Sequence, residues 1–399
     1  MKGTKERNRK VLAVVMLLFM LAFSSNARGE EDATLKLDKS LQNLKFGILA
    51  YFEYSAGASP LAHDDETNFN KFALTRGYFT LQKELTPWLK ARMTADAYQR
   101  EDGYYDVMLK YYYAQIKFPD LGPLTGVSSE IGMGHIPWLD FEEHINPYRC
   151  QGTMAIERAG IFNSADLGVG LMGYFGSKLE DAKKRTGNDH YAGKFGSWHI
   201  GVYNGGGYHA VEANQDKVVE GRITLRPVPS ILPGLQLSYF GLYGEGNTRA
   251  TVTDEFPDYV VHLGMLSFEH PRFIFTGQYF TTEGIASGKL IDGDGEALST
   301  HGYSFFANVK LPIFGDRPNI FARYDYFDAD IDDKVAEDSA YQMYIGGIAI
   351  DLYKGNMLLF VYENTDYEDD SGGKKGKNPQ VGNELGDDWK FQVVFQLKF

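Results

Sequence analysis

Two groups of side chains in this 399-residue chain have types and spacings that could do chemistry. The first is a set of cations at alternating positions: Lys45, Arg76, Lys90, Arg92, Lys117, Arg222, Arg226, Lys310, Arg323, Lys390 and Lys398. Alternate residues of an extended strand point to one side, so Lys90 and Arg92, or Lys390 and Lys398, share a face. The chemistry would be electrostatic: a row of Arg and Lys along a wet wall lowers the entry barrier for anions. Glu53, Asp96, Glu220 and Asp325 occupy the same kind of position. Each cation therefore either faces water alone or is neutralised by a carboxylate of the wall or a loop.

The second group is the stretch 135–163, with Trp138, Asp140, Glu142, Glu143, His144, Arg149, Glu157 and Arg158 around the only cysteine, Cys150. A connection this long is usually functional or disordered. Its mixture of aromatic, apolar and charged residues suits a segment that folds inward and narrows a passage, with Asp140, Glu142, Glu143, Arg149 and Arg158 lining it. The plainer alternative is an ordinary surface loop. Cys150 reads as a small buried thiol.

Covalent chemistry finds no support. The nine histidines show no zinc spacing, and no Gly-x-Ser-x-Gly, phosphate-loop or strand–turn–helix dinucleotide fingerprint occurs. Asp292-Gly-Asp294-Gly-Glu296 resembles the start of a calcium loop but lacks its full ligand spacing. Such loop carboxylates read better as solvated groups, bridged at most to anionic lipid by divalent ions. No catalytic residue, metal site or cofactor is expected, and the chain is not read as an enzyme.

The positioning elements follow from periodicity. Sixteen segments alternate apolar with polar residues: 44–54, 71–81, 88–98, 107–118, 129–134, 165–175, 198–204, 217–226, 235–243, 259–268, 273–282, 302–311, 319–327, 341–352, 356–363 and 389–399. Short connections alternate with long ones. With 26 Tyr, 27 Phe and 44 Gly, but no long apolar run after residue 27, only every second strand residue can meet lipid. The fold class read from this is all-β: a transmembrane antiparallel β-barrel of about 16 strands, with long extracellular loops and an inward-folded third loop. In hydrocarbon an open sheet edge is forbidden, so segment 389–399 must pair with 44–54.

The remaining segments are read as targeting. Lys2, Lys5, Arg7, Arg9 and Lys10 precede an apolar run, 11–23, too short to span a bilayer, and then Ser25-Asn26-Ala27. Residues 1–27 are expected to be a signal peptide, 28–43 a short periplasmic lead-in and 44–399 the barrel. Subtracting the signal's net charge of +4 from −13 leaves −17, a poor match for nucleic acid.

With these strands in place, Arg76-Gly-Tyr-Phe-Thr-Leu81, Val202-Tyr-Asn-Gly-Gly206, Gly221-Arg-Ile-Thr-Leu-Arg-Pro227 and Phe395-Gln-Leu-Lys-Phe399 resemble bacterial outer-membrane porins, most closely the phosphate-selective porin O and P group. The resemblance implies a homotrimer in the Gram-negative outer membrane and an inward third loop. It also implies that Phe399 is read by the barrel-assembly machinery. The expected function is passive diffusion of small hydrophilic solutes and ions, anion-preferring where the wall cations stay unpaired. A phosphate-type oxyanion channel, an outer-membrane hydrolase, and an adhesin or structural barrel are the alternatives.

Overall fold

A computed structural model describes residues 43–100, 102–372 and 379–399. The expected signal peptide, and the lead-in apart from Asn43, lie outside these residues. Sixteen strands run in order: β1 (Leu44–Pro60), β2 (Glu66–Thr86), β3 (Leu89–Gln99), β4 (Tyr105–Lys117), β5 (Leu124–His135), β6 (Ala165–Phe175), β7 (Gly196–Tyr203) and β8 (Val218–Leu225). Then follow β9 (Leu235–Glu245), β10 (Asp258–His270), β11 (Phe273–Glu283), β12 (Ser299–Lys310), β13 (Pro318–Asp328), β14 (Tyr341–Asp351), β15 (Met357–Tyr367) and β16 (Asp388–Lys398). Each strand pairs with its sequence neighbours, and β1 pairs with β16, so the sheet is a closed antiparallel barrel. The seam runs from Leu49↔Lys398 to Ala58↔Trp389. Ile48 and Phe399 extend it by exchanging backbone hydrogen bonds of 3.0 and 3.1 Å.

Alternation explains the wall. On β3, Leu89, Ala91, Met93, Ala95 and Ala97 point outward, whereas Lys90, Arg92, Thr94 and Asp96 point inward. Phe46, Phe52, Phe79, Ile200, Val202, Tyr239 and Ile348 leave much of their surface exposed on the outer wall. Such an apolar exterior on a closed sheet is the arrangement hydrocarbon requires.

Two bulges re-aim side chains. On β2, Arg76 pairs with Tyr51 and Leu74 with Phe52, leaving Thr75 as the extra residue that turns Arg76 inward. On β4, Tyr111 pairs with Thr94 and Leu109 with Ala95, so Lys110 is extra, and both Lys110 and Tyr111 project into the barrel. The first hairpin is longer than its periodicity suggests, reaching Pro60 and Glu66 rather than stopping near 54 and 71.

The connection from β5 to β6 carries helices α1 (Leu139–Ile145) and α2 (Ala155–Arg158) and packs against the inner wall. Trp138, Phe141, Tyr148, Met154 and Ile156 form one core with Phe240, Val261, Leu263, Phe306, Phe321, Met343 and Leu359. The inner face of β9–β15 is thus partly apolar, and this segment covers it. The connections at one barrel end are short, with one exception. Residues 176–195, between β6 and β7, share that end and carry helix α3 (Ala182–Thr186).

Candidate constriction site

The inward segment is anchored on one side and open on the other. Tyr148 stacks on Phe321 at 4.3 Å and donates to Asn308 at 2.9 Å. Gln151 donates to Glu363 at 2.7 Å, and Arg158 pairs with the same carboxylate at 3.0 Å. Trp138 donates its indole N–H to Glu142 at 2.8 Å, and Gln278 donates to the other oxygen at 2.8 Å. Two residues expected to line the passage, Glu142 and Arg158, are therefore buried anchors. Burial pushes the Glu142 carboxyl up to about 7, against the lowering influence of Arg323 and its two hydrogen-bond donors. Cys150 is also buried, 4.0 Å from the Met357 sulfur, and burial raises its thiol to about 12.

The open side carries Glu143, Arg149 and Glu157. Arg149 bridges the two carboxylates, with Nε 2.8 Å from Glu143 and Nη2 3.2 Å from Glu157. Opposite, on β2–β4, stand Arg76, Arg92 and Lys110. Arg76 is half-buried over the Tyr78 ring at 4.8 Å. Lys110 is buried, at 2% exposure; it donates to the Tyr78 hydroxyl at 2.5 Å and lies 5.0–5.7 Å from the rings of Tyr78, Tyr111 and Tyr208. Arg92 contacts Thr94, Tyr113 and His135 and lies 4.7 Å from the Tyr111 ring. Among the described residues none of these three cations has a carboxylate within 4 Å. Lys110, Arg76, Arg149, Glu143 and Glu157 are close enough to act on one another electrostatically.

The other expected lining cations have different surroundings. Lys90 pairs with Glu84 at 2.9 Å and Lys310 with Asp351 at 3.1 Å. Arg323 is locked to Asp325 at 2.5 Å and to the Thr153 carbonyl at 2.8 Å, so it is buried rather than wetted. Arg222, 2% exposed, is sandwiched between Phe141 and Tyr191, 4.1 and 5.0 Å from their rings, and donates to the Pro137 carbonyl. Arg226 is buried against Gly193 and Gln236. Lys45, Lys117 and Lys398 are exposed near the short-turn mouth.

Asp140 faces away from the Glu143 side, into a histidine chain. His135 lies 2.8 Å from Glu130 and 3.6 Å from Asp140, and His144 lies 3.4 Å from Asp140. Burial works to raise the Asp140 carboxyl. His135, His144 and hydrogen bonds from His144 and Tyr191 overcome that and hold it well below the usual range. Burial likewise disfavours the charged His144 ring, yet Asp140 pushes it up to about 9. Tyr203 lies along the wall to reach the His135 carbonyl at 2.9 Å. Glycine makes room for it: a Cβ at Gly170 would sit 2.7 Å from the Tyr203 hydroxyl.

Lys110, Tyr208 and the His135–Asp140–His144 chain escape a reading by alternation. A bulge breaks the period at Lys110, and Tyr208 comes from a loop. The available signal is a phase change in β4, where the exposed Val107 and Leu109 give way to exposed Tyr112. The Asp292 loop is a capped turn. One Asp292 oxygen accepts the backbone N–H groups of Asp294 and Glu296, and the other lies 3.6 Å from Lys334.

No known family profile matches the chain, and no curated protein matches it by sequence. Solved structures do match in shape. The outer membrane channel DcaP of Acinetobacter baumannii matches at 11% identity over 91% of this chain and 99% of its own, with a TM-score of 0.57. An anion-selective porin from Comamonas acidovorans matches at 12% identity over 89% of this chain and 99% of its own, with a TM-score of 0.55. OmpF of Salmonella typhi, solved in complex with daunomycin, matches at 8% identity over 89% of this chain and 97% of its own, with a TM-score of 0.57. The fold is the sixteen-strand barrel of these outer-membrane porins. At such identities the likeness is one of fold.

Proposed function

We propose that this protein is an outer-membrane porin of a Gram-negative cell. It passes small hydrophilic solutes and ions down their gradients, with a preference for anions. The observation that carries the preference is the pair Arg76 and Arg92 on the inner wall, without carboxylate partners and facing the inward segment, with Lys110 buried behind Tyr78. A passing anion would meet these charges before it met the Glu143–Arg149–Glu157 bridge, whose acids are shared with Arg149. The apolar outer wall supports a bilayer setting, and the water-sized spaces beside the inward segment support passage rather than a filled barrel.

The same reading gives residues 1–27 as a cleaved signal peptide and 28–43 as a periplasmic lead-in. It puts the short-turn end in the periplasm and takes Phe399 as a mark for the barrel-assembly machinery. A homotrimer embedded in outer-membrane lipid is the proposed assembly. A phosphate-type oxyanion channel is the second reading, favoured by the mutual reach of Arg76, Lys110 and Arg149. Swelling of proteoliposomes in uncharged sugars of rising size tests passive diffusion. Size-graded swelling is expected, and absence of swelling with every sugar overturns the pore. Block of chloride current by phosphate would favour the oxyanion reading.

A further inference from the structure

The connection 176–195 is out of character with its end of the barrel. Its fellow connections there are short turns, such as the one joining His270 to Phe273. This one builds a small hairpin of its own. Leu179 donates to the Ala192 carbonyl at 2.8 Å, Lys194 donates to that of Ser177 at 2.8 Å, and Leu179, Ala182 and Ala192 pack together.

Its tip does not stay at the rim. Asn188 donates to the Glu269 carboxylate of β10 at 2.7 Å and to the His144 carbonyl of α1 at 2.9 Å. His190 lies against His144, ring centres 3.8 Å apart. Tyr191 packs edge-on against Phe141 at 5.3 Å and donates its hydroxyl to Asp140. Arg185 reaches the Pro229 carbonyl at 2.9 Å. The segment thus leaves β6, crosses to β10, and meets the inward connection from the opposite end of the barrel.

Water-accessible space lies on both sides of that tip. One side holds about 370 Å³ beside Glu130, Asp140 and His199; the other holds about 490 Å³ beside Arg149, Lys310 and Lys398. His190 borders both.

We infer that residues 176–195 are a second constriction element, which divides the periplasmic half of the lumen and sets the solute size limit from that side. The inference rests on the pore reading above. Lumenal ions take the space on the Arg149 side to reach the Arg76–Arg92 wall, and the strap keeps the acidic side apart. Tyr191 and Asn188 hold the strap in register, and they also brace α1 from below.

The test replaces residues 180–191 by Asn-Gly, a two-residue turn that suits an antiparallel hairpin. Conductance and sugar-size cutoff are then compared with those of the wild type. From the ratio of merged to larger space, single-channel conductance should rise roughly 1.5- to 2-fold, with faster swelling in larger sugars. A second arm uses His190→Cys in a Cys150→Ser background, labelled with a bulky thiol reagent from the periplasmic side. Current should fall stepwise on labelling, relative to the same variant before labelling. Wild-type channels that conduct, alongside a shortened variant with unchanged conductance and cutoff, overturn the inference and leave the pore intact. A wild type that fails to conduct refutes the pore itself. If the shortened variant does not assemble, labelling decides: unchanged current after complete modification of the His190→Cys variant overturns the strap's role.

Discussion

Glu220 on β8 is buried at 4% exposure, and its Oε2 has no hydrogen-bond partner. Burying a carboxylate without compensation costs more than burying a neutral group of similar shape. Glu220→Met, which removes the unmet group, should therefore raise resistance to thermal unfolding in detergent by roughly 1–3 kcal/mol, the penalty of an unmet buried polar group. A loss of stability would show that the carboxylate has a role the surrounding contacts do not explain. The Asp140–His144 pair gives a pH dependence with a definite sign. His144 binds its proton more tightly folded, at about 9, than an ordinary imidazole near 6.5. Its contribution is complete below about pH 6.5 and is lost as pH rises through 9. Melting temperature should fall between pH 6.5 and 9 in the wild type and fall less in His144→Gln. Equal slopes in both would contradict the pairing. Among the charged residues, sequence alternation assigns Arg76, Lys90 and Arg92 to the inner face. It misses Lys110 because a bulge puts two consecutive side chains inward. It also cannot separate Arg92, without a carboxylate, from Arg323, locked to Asp325, because a partner two residues along the same strand looks like one more wall charge.

At the scale of elements, the inward connection is held by burial more than by charge. Trp138 is fully buried against Phe240 at 5.9 Å and Phe141 at 5.8 Å. Trp138→Ala should cost about 3–5 kcal/mol of local packing, as large aromatic truncations do. Because the cost falls on the segment and not on the ladder, barrels should still form but show noisier current and a larger mean conductance. Quiet, wild-type traces from this variant would mean that the segment is held elsewhere. The strands are legible in sequence because one face of each meets an apolar surround and the other does not, which enforces period two. The connections are less so. The length of 135–163 marks it as special, but its apolar residues point to an inner wall that period-two reasoning assigns to water. Val261, Leu263 and Met343 sit on that wall, and only the segment lying over them explains their type. The strap 176–195 reads as a polar linker for the same reason: its contacts with α1 are made by single residues, Asn188, His190 and Tyr191, with no periodic pattern.

For the molecule as a whole, closure and charge distribution are the two features that matter. The β1–β16 seam removes the last sheet edge, and Phe399 adds one rung beyond Leu49↔Lys398 while its ring leans on Phe46 at 6.3 Å. Deleting Phe399 leaves the ten paired positions of the seam in place. It should reduce the amount of assembled barrel in the outer membrane more than it changes the conductance of barrels that do assemble. Unchanged assembly would count against the targeting role. Charge is unevenly distributed along the axis. Lys45, Lys117, Lys183, Arg272, Lys354 and Lys398 surround the short-turn mouth, whereas Asp64, Asp65, Asp332, Asp333, Glu368 and Asp369 belong to the connections at the opposite end. An acidic protein can therefore present a basic passage, because its acids cluster beyond the strands. Several of them cap loops: Asp330 accepts the backbone N–H groups of Lys334, Val335 and Ala336, and Asp370 those of Glu337 and Gly382. The most direct test is the reversal potential of single channels in a planar bilayer under a potassium chloride gradient. Discrete steps with an anion-preferring reversal potential are expected. Arg76→Gln combined with Arg92→Gln should lower the anion-to-cation permeability ratio severalfold, since a unit charge about 4 Å from an ion in water is worth ~1 kcal/mol. Absence of steps, or a cation-preferring wild type, would contradict the account.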